Sequence, residues 1–460
     1  LDLAAAGVTL RRRRGGSDRG WHLKLPAGGD SRDEIRVGFA RGEAIRHNPQ
    51  PPAELVGLTR SFTRGAELVP VAELRTVRHR WRLTDDQGRD LVEIVDDRVT
   101  AETPGAPSDP SSWREVETEL GEHGDAKLLD RLERILGQAG VRRSDSPAKL
   151  VRVLGERIPA TAPALPEHTS TLGQVVLAYL HDQAVAIRDG DSAVRRDLPN
   201  AIHQMRVGTR RMRSLLRAYD RVIDRERTRA VVGELKWLGA VLGTARDLEV
   251  LDDRLTRTVA ELPDELVLGP VRAQLTRYFA PRRATAREEL VAALDSDRYL
   301  ALLTAIDDLL SAPALTRAAA KPARRRIGPI ILRAHQRVEG HVRAAERLPQ
   351  GAERDAQLHD ARKAAKQLRY AGEAAAAVLG KPARTLVERT KQVQERLGDH
   401  QDAITALPVL RELAAQAHQD GANGFTFGLL YGQADTHLPD TALGPAWKAL
   451  AKAVRAVTRT

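Results

Sequence analysis

Residues 203–217 have the sequence HQMRVGTRRMRSLLR, and this stretch decides what the C-terminal part of the chain can form. An α-helix turns by roughly 100° per residue. Five basic side chains would therefore lie within about 80° of one another around the helix axis: His203, Arg206, Arg210, Arg213 and Arg217. The opposite side would carry Met205, Met212, Leu215 and Leu216. The stretch therefore predicts an amphipathic helix whose polar side is entirely cationic. Like charges four residues apart destabilise a helix by roughly 0.2–0.5 kcal/mol per pair, so we expect an anion against this side.

A second stretch repeats this pattern later in the chain. Residues 359–369, HDARKAAKQLR, align with residues 203–213 and match His203 with His359, Arg206 with Arg362, Arg210 with Lys366, and Arg213 with Arg369. A second shared element follows each stretch at nearly the same distance: LGTARD at residues 242–247 and LGDHQD at residues 397–402. Two elements in the same order predict a duplicated helical bundle. Halves related by a two-fold axis would bring the two cationic rows together in one groove.

The composition also favours helices and an anionic partner. The chain of 460 residues is 42% hydrophobic but only 3% aromatic, so its core depends on Leu, Val and Ala. The net charge of +11 suits nucleic acid, polyphosphate or anionic lipid, although a basic surface of mixed charge explains it equally well. The absence of cysteine excludes disulfides and thiolate zinc sites. The sequence contains no apolar run of about 18 residues, the length that a membrane-spanning helix needs.

The first 140 residues differ from the rest in pattern. Segments of alternating polarity between Gly, Asp and Pro predict an antiparallel sheet or barrel: GVTLRRRRGG, WHLKLP, RTVRHRWRLTDDQG, RDLVEIVDD and WREVETELGE. A helix is predicted over DAKLLDRLERILGQAG, and the prolines of RIPATAPALPEHTS predict a linker. We therefore expect an α+β chain of two domains, over residues 1–140 and 169–455, with a helix end and a linker over 141–168. The helical halves would span residues 169–310 and 327–455.

Charged side chains in the predicted strands fall on single faces, because successive side chains of a strand alternate. The basic residues are Arg11, Arg13, Lys24, Arg78, Arg80 and Arg82, and the acidic residues are Glu93, Asp97, Glu115, Glu117 and Glu119. Facing inward, such rows would suit a polar tunnel that holds phosphates and a divalent metal. Facing outward, they would form cross-strand ion pairs, which the spacing alone favours.

The helical stretches resemble the CHAD family, the conserved-histidine α-helical domains. The resemblance rests on HQMRVGTRRMRSLLRAY, ELKWLGAVLGTARDLEVL, HDARKAAKQLRYAGEAA and VQERLGDHQDA, and it covers about residues 169–455. It implies two halves like four-helix bundles, related by pseudo-two-fold symmetry, and a basic surface that binds inorganic polyphosphate. The binding residues it implies are His203, Arg206, Arg210, Arg213, His359, Arg362, Lys366 and Arg369. Arg217 joins them with a less definite role, because Glu373 occupies the matching place.

Two alternatives remain open for these residues. Glutamates of a neighbouring helix would neutralise each row if the rows were merely structural. Asp247 and Asp402, which follow the shared glycines, would orient arginines of the rows or would simply act as capping or turn residues.

The N-terminal segments resemble the CYTH family, also called triphosphate tunnel metalloenzymes, over residues 1–140. The resemblance implies a β-tunnel in which basic side chains bind a triphosphate, carboxylates hold Mg²⁺ or Mn²⁺, and water attacks the terminal phosphoryl group. It assigns the phosphate to Arg11, Arg13, Lys24, Arg78 and Arg80, and the metal to Glu117 and Glu119 with Glu93 and Asp97. The family's first-strand motif, Glu-x-Glu-x-Lys, is absent because the chain begins after its place. We therefore expect a tunnel without its first strand, and catalysis only where that strand is present.

Three hypotheses about function follow. The first combines polyphosphate binding by the helical domain with metal-dependent hydrolysis of a triphosphate or another phosphoanhydride. The second is a non-enzymatic protein that binds polyphosphate or associates with polyphosphate granules. The third is a basic nucleic-acid-binding scaffold, which is less favoured because base-stacking aromatics are scarce: only Trp237, Tyr219 and Tyr370 lie near the rows. Without an export signal, a cytoplasmic location is expected.

Overall fold

A computed structural model describes residues 1–16, 18–26, 32–40, 50–104, 110–146, 148–159, 170–436 and 443–459. The chain divides into two compact units, Leu1–Thr161 and Ala162–Thr460. Most of the predicted proline-rich linker, residues 160–169, lies outside the described residues. The prediction of an α+β chain with two domains is confirmed.

The N-terminal unit contains two three-stranded antiparallel sheets. One consists of β1 (Thr9–Arg13), β2 (Gly20–Pro26) and β3 (Arg32–Val37), and the other of β4 (Glu73–Thr84), β5 (Asp90–Glu102) and β6 (Ser111–Leu120). The five segments predicted as strands lie in β1, β2, β4, β5 and β6, whereas β3 was not predicted. Its sequence, RDEIRV, offers only two apolar residues and therefore little alternation. Within the described ranges the strands form two sheets rather than one closed barrel.

Four helices accompany these sheets: α1 (Asp2–Ala5), α2 (Ala53–Thr63), α3 (Ala126–Gln138) and α4 (Lys149–Leu154). Leu55, Leu58 and Phe62 of α2 are buried against the first sheet, in a core that includes Trp21 and Leu23. The predicted helix is α3, whose first turn donates the backbone N–H of Leu128 to the side chain of the capping Asp125. Helix α4 lies in the segment where the sequence predicted only a helix end and a linker.

The C-terminal unit is helical. Its helices are α5 (Leu172–Arg195), α6 (Ala201–Ala218), α7 (Arg225–Ala260), α8 (Val271–Asp295), α9 (Asp297–Ser311), α10 (Ala323–Glu346), α11 (Ala352–Leu379), α12 (Lys381–Gln419), α13 (Phe425–Thr436) and α14 (Gly444–Arg459). One core joins helices from both halves of this unit, and a smaller core lies among α7, α8, α12 and α13. Among the described residues, no helix is both long enough and apolar enough to cross a bilayer.

Helix α6 contains the stretch with which the sequence analysis began. Its predicted apolar side is buried: Met205, Met212 and Leu215 are fully inaccessible to solvent. Gly208 lets α6 approach α5 closely, because an added Cβ would lie 3.3 Å from the Cβ of Ala186. Helix α6 also packs against α7 and α11, and α11 contains the second histidine-and-arginine stretch. The fold therefore places the two stretches on adjacent helices.

Candidate functional site

The cationic side chains of α6 and α11 converge on Lys366. The pKa of Lys366 is lowered to about 7, first by burial and then by the charges of four arginines, Arg362, Arg210, Arg206 and Arg369. Two of these arginines belong to α6 and two to α11. The two rows therefore lie close enough together to act on one ammonium group.

Two arginines of the rows have a carboxylate on the following helix. Arg206 donates from an Nη to Asp247 at 2.8 Å, and Arg362 lies 4.0 Å from Asp402. Asp247 is 66% exposed, so this ion pair contributes little stability and leaves Arg206 accessible to another anion.

A glycine of α7 and a glycine of α12 leave room for these two arginines. A Cβ added to Gly243 would lie 3.4 Å from an Nη of Arg206, and one added to Gly398 would lie 3.2 Å from an Nη of Arg362. The glycines of the two shared elements therefore contact corresponding arginines. Asp247 and Asp402 lie inside the same two helices, so neither aspartate is a capping or turn residue.

Glu373 neutralises a different part of the site. Its carboxylate lies 2.9 Å from Arg211 and 3.3 Å from Arg369, and it accepts a hydrogen bond of 2.8 Å from the hydroxyl of Tyr179. Arg369 also donates to the hydroxyl of Tyr370 at 3.1 Å. This network connects α5, α6 and α11. Within it, Arg369 has Glu373 as an acidic partner, as expected for a row residue with a structural role.

Four cations of the rows have no such partner. Within the described ranges, no carboxylate oxygen lies within 4.0 Å of the charged nitrogens of Arg210, Arg213, Arg217 and Lys366. Arg210 donates instead from Nε to the hydroxyl of Tyr370 at 2.7 Å. The pKa of Arg213 is lowered by burial and by the charges of Arg217 and Arg210. The cationic rows of α6 and α11 therefore carry positive charge that the described protein does not neutralise.

The surroundings of the two histidines that begin the rows favour their neutral form. Burial lowers the pKa of both, and cations lower it further, among them Arg246 near His203 and Lys363 near His359. Nδ1 of His359 lies 2.9 Å from Oε1 of Gln401. Because the amide oxygen of Gln401 can only accept, Nδ1 of His359 donates to it, and the neutral ring of His359 has no second N–H to offer an anion.

The nearby aromatic rings are not exposed platforms. Tyr219 and Tyr370 are fully buried, and Arg369 lies over the Tyr370 ring at 4.9 Å from its centroid. The Trp237 ring is covered by Arg298 at 4.2 Å. None of these three rings offers an open face on which a nucleotide base could stack.

In the N-terminal unit, the predicted charged rows share one face of the second sheet. The register pairs Arg78 with Asp97 and Asp97 with Glu115, and it also pairs Glu93 with Glu119. Arg78 binds both oxygens of Asp97, at 2.7 and 2.6 Å. Burial acts to raise the pKa of Asp97, but hydrogen bonds from Arg78 and Lys149 hold it below its ordinary value.

The first sheet carries its own charged face, centred on Glu34. Arg11 and Lys24 each approach Glu34 to 3.7 Å, and Nδ1 of His22 lies 2.7 Å from it. Burial acts to raise the pKa of Glu34, but hydrogen bonds with His22 and Arg36 lower it to about 2. Burial lowers the pKa of Arg11, and Arg78 of the other sheet contributes in the same direction, so the two charged faces lie near each other.

Three carboxylates of the second sheet form a cluster. Asp97, Glu115 and Glu117 bring one oxygen each to within 4.8 Å of one another. Carboxylate oxygens are the ligands that Mg²⁺ and Mn²⁺ prefer, so the three residues offer the ligand atoms that such an ion needs. The ammonium of Lys149 also lies among them. Glu93 and Glu119, both predicted as metal ligands, do not belong to this cluster; Glu93 pairs with Arg80 at 3.1 Å.

Comparison with known proteins assigns a family to each unit. The model of the CYTH domain matches residues 1–153, and the model of the CHAD domain matches residues 178–411. The chain belongs to the CHAD family and carries a CYTH domain before the CHAD domain. Both resemblances noted in the sequence are thereby confirmed.

Relatives with both parts are found among mycobacterial proteins. Two uncharacterized proteins of Mycobacterium tuberculosis, MT2285 and Rv2226, are 38% identical to this chain over 474 residues, which covers 99% of this chain and 88% of each relative. Among solved structures, PptA from Streptomyces chartreusis has a TM-score of 0.49 at 22% identity and covers 62% of this chain and 100% of its own. The CHAD domain from the plant Ricinus communis has a TM-score of 0.49 at 26% identity and covers 64% and 95%.

Several residues of both sites were not predicted from the sequence. In the CHAD domain these are Tyr179, Arg211 and Tyr370 as parts of the network around Glu373. In the CYTH domain they are Glu34 and Lys149, together with Glu115 as a member of the carboxylate cluster. The alternation of Glu115 with Glu117 indicated a shared face, but only the strand register shows that Glu115 lies opposite Asp97. Lys149 follows Glu117 by 32 residues, and no local pattern indicates their contact.

Proposed function

We propose that the CHAD domain binds inorganic polyphosphate between α6 and α11, and that the CYTH domain is a metal-dependent hydrolase of inorganic triphosphate or a related phosphoanhydride. The observation that carries the first part is the environment of Lys366, where four arginines gather around a half-buried ammonium that has no described carboxylate partner. Such a cluster is unfavourable on its own. A polymer with a negative charge on every phosphoryl unit would relieve the repulsion all along the groove.

The magnitude of the interaction is sufficient for tight binding. Arginine binds phosphate oxygens through charge-assisted hydrogen bonds, often two at a time, and lysine binds them as a point charge. Each hydrogen bond to a charged group contributes roughly 1.5–3 kcal/mol. Several such bonds along one groove would support strong binding that weakens as salt rises.

We also propose that the groove is the product of a duplication with pseudo-two-fold symmetry. Helix α5 packs against α6 and α9, and α7 packs against α6, α8 and α9; likewise α10 packs against α11 and α14, and α12 packs against α11, α13 and α14. The contacts of Gly243 with Arg206 and of Gly398 with Arg362 follow the same order. The two rows would then present similar cation spacings to a repeating polymer.

The buried aromatic rings favour a ligand that consists only of phosphate over one that contains bases. Proteins that bind single-stranded nucleic acid usually stack bases on exposed rings. Tyr370 and Tyr219 are instead fully buried. Nucleic acid is therefore the alternative partner that a competition experiment should exclude.

For the CYTH domain, the proposed chemistry depends on positioning and charge neutralisation. Arg11, Lys24 and Arg80 would hold phosphate oxygens, and Asp97, Glu115 and Glu117 would hold Mg²⁺ or Mn²⁺. When bound, the metal supplies charge neutralisation at the phosphoryl group. Water would attack the terminal phosphorus, the bridging P–O bond would break, and orthophosphate would leave. The alternative is a CYTH domain without activity in a protein that only binds polyphosphate or its granules.

The binding proposal is tested by titrating the chain with long-chain polyphosphate at moderate salt. We expect the variant R206A/R210A/R362A/K366A to lose binding while its helical content is unchanged. The matched control, R225A/R227A/R229A/K236A, removes the same charge from exposed positions of α7 and should bind like the parent protein. Equal affinity of the two variants would refute the site. Displacement of polyphosphate by duplex DNA at equal phosphate concentration would refute the ligand.

The enzymatic proposal is tested by phosphate release from inorganic triphosphate with Mg²⁺ or Mn²⁺. We expect release by a version that carries the Glu-x-Glu-x-Lys first strand, and its loss when E115Q/E117Q is introduced into that version. Absence of release in the version with the first strand, with polyphosphate binding intact, would favour the non-enzymatic alternative.

A further inference from the structure

The ammonium group of Lys149 lies at the centre of the carboxylate cluster in the CYTH domain. Its Nζ lies 2.5 Å from Glu115, 2.5 Å from Glu117 and 3.0 Å from Asp97. One ammonium therefore contacts all three carboxylates, and its three N–H donors suffice for one hydrogen bond to each. Within the described chain, this is the group of carboxylates whose spacing suits a divalent cation.

The cluster cannot serve Lys149 and a metal ion at the same time. A divalent cation binds carboxylate oxygens at about 2.0–2.6 Å, so it must occupy nearly the same centre as the ammonium nitrogen. Arg78 already binds both oxygens of Asp97. Two cations thus balance most of the charge of three carboxylates before any metal arrives, and a metal must displace one of them.

Lys149 is the cation that can leave. It begins α4, a helix of six residues that has no side-chain cap at its N-terminus. So short a helix is only marginally stable by itself. Apart from Lys149, Arg152 lies over the Trp113 ring at 4.9 Å and Leu154 is buried. Arg78, by contrast, lies in the middle of β4, where the sheet fixes it.

We propose that Lys149 and a divalent cation compete for the carboxylates of Asp97, Glu115 and Glu117, so that binding of the cation releases Lys149 together with α4. This inference rests on the metal-dependent function proposed for the CYTH domain. Lys149 is then an internal counterion that keeps the carboxylates together and screened while the metal is absent. Its release opens the charged face of the second sheet in step with metal binding.

The experiment measures Mn²⁺ binding directly, from the electron paramagnetic resonance signal of free Mn²⁺ titrated with the full chain. We expect Lys149→Met to bind Mn²⁺ at least about tenfold more tightly than the parent protein, because the competing charge is gone. Lys149→Arg keeps that charge and should bind like the parent protein. Lys127→Met removes the same charge from an exposed position of α3 and should also leave the affinity unchanged.

Hydrogen exchange supplies a second readout that needs no variant. The backbone amides of α4 should exchange faster in the parent protein when Mn²⁺ is saturating, whereas those of α3 should not change. Unchanged exchange in α4 at saturating Mn²⁺ would overturn the proposal even if Lys149→Met failed to fold.

The outcomes separate this inference from the function on which it rests. Equal Mn²⁺ affinity of the parent protein and Lys149→Met would overturn the competition and leave the metal site standing. Weaker binding by Lys149→Met would overturn it too, because Lys149 would then assist the metal. No Mn²⁺ binding by either protein would overturn both the competition and the metal dependence proposed for the CYTH domain.

Discussion

Binding of polyphosphate to the CHAD domain should be accompanied by uptake of a proton at Lys366. Burial and the surrounding arginines lower the pKa of this residue to about 7. At pH 8, about nine in ten molecules therefore carry a neutral amine there. A phosphate chain against the amine favours its charged form and raises its pKa toward the ordinary lysine value. We expect Lys366 to take up about 0.9 proton at pH 8, about 0.5 at pH 7 and about 0.1 at pH 6.

The same linkage fixes how the affinity depends on pH. Above pH 7, each pH unit weakens binding by up to about 1.4 kcal/mol, or about tenfold, because the amine must be protonated as the anion binds. Below pH 6 this contribution is constant. The free energy of unfolding of the ligand-free protein depends on pH in the opposite direction to the binding affinity. The folded pKa of Lys366 lies below the unfolded one, so the unfolded chain binds more protons between about pH 7 and 10 and the free energy of unfolding rises through that range.

Calorimetry measures this proton uptake. Titrations with long-chain polyphosphate at pH 8, in two buffers that differ in ionisation enthalpy, give the number of protons bound. The control is Lys366→Arg, which remains charged and should lose the uptake while His203 and His359 stay in place. The difference between the two proteins therefore isolates Lys366. Equal uptake by the parent protein and Lys366→Arg at pH 8 would refute the argument.

Four further outcomes are expected. Glu373→Gln should lower the free energy of unfolding of the CHAD domain by about 1–3 kcal/mol in urea, because two arginines lose their carboxylate, and polyphosphate should restore part of it. Gly398→Ala should weaken polyphosphate binding several-fold by displacing Arg362, whereas Gly233→Ala, where a Cβ meets no atom within 4 Å, should not. Asp97→Asn should destabilise the CYTH domain by about 3–5 kcal/mol at pH 7, and the stability of the parent protein should fall as the pH drops below about 4, which thermal melting can follow. A chelator should abolish phosphate release from triphosphate but leave polyphosphate binding intact; an effect on both would contradict the separation of the two sites.

The cationic rows could be predicted because their information is local. Met205 and Met212 fall opposite the arginines at helical spacing, and both are fully buried in the structure. The repeat then indicated a second row of the same kind. What local spacing could not provide was the partner of each cation. Glu373 interrupts the repeat at the place that matches Arg217, and only the packing of α5, α6 and α11 shows that it neutralises Arg211 and Arg369.

Prediction of the strands met the same limit, because local spacing indicated the faces of the charged residues but not their partners. Alternation identified five of the six strands and correctly grouped Arg78 with Arg80, and Asp97 with Glu93, on single faces. It could not fix the register that sets Asp97 opposite Glu115. A shift by two residues would leave each side chain on the same face of the sheet but place it opposite a different residue. Lys149 reaches the cluster from a separate short helix, so neither alternation nor register predicts it.

The functions proposed for the two domains would use opposite arrangements of charge. In the CHAD domain, Arg210 and Lys366 have no described carboxylate partner, so a polyanion needs only to displace water and counterions. In the CYTH domain, the cations proposed to bind triphosphate, Arg11, Lys24 and Arg80, already lie near carboxylates, so a triphosphate would compete with the protein's own acidic groups. A divalent cation at Asp97, Glu115 and Glu117 would reduce the negative charge near those cations, so binding of metal and of triphosphate would support each other. On the proposed functions, a divalent cation would therefore assist the CYTH domain and not the CHAD domain.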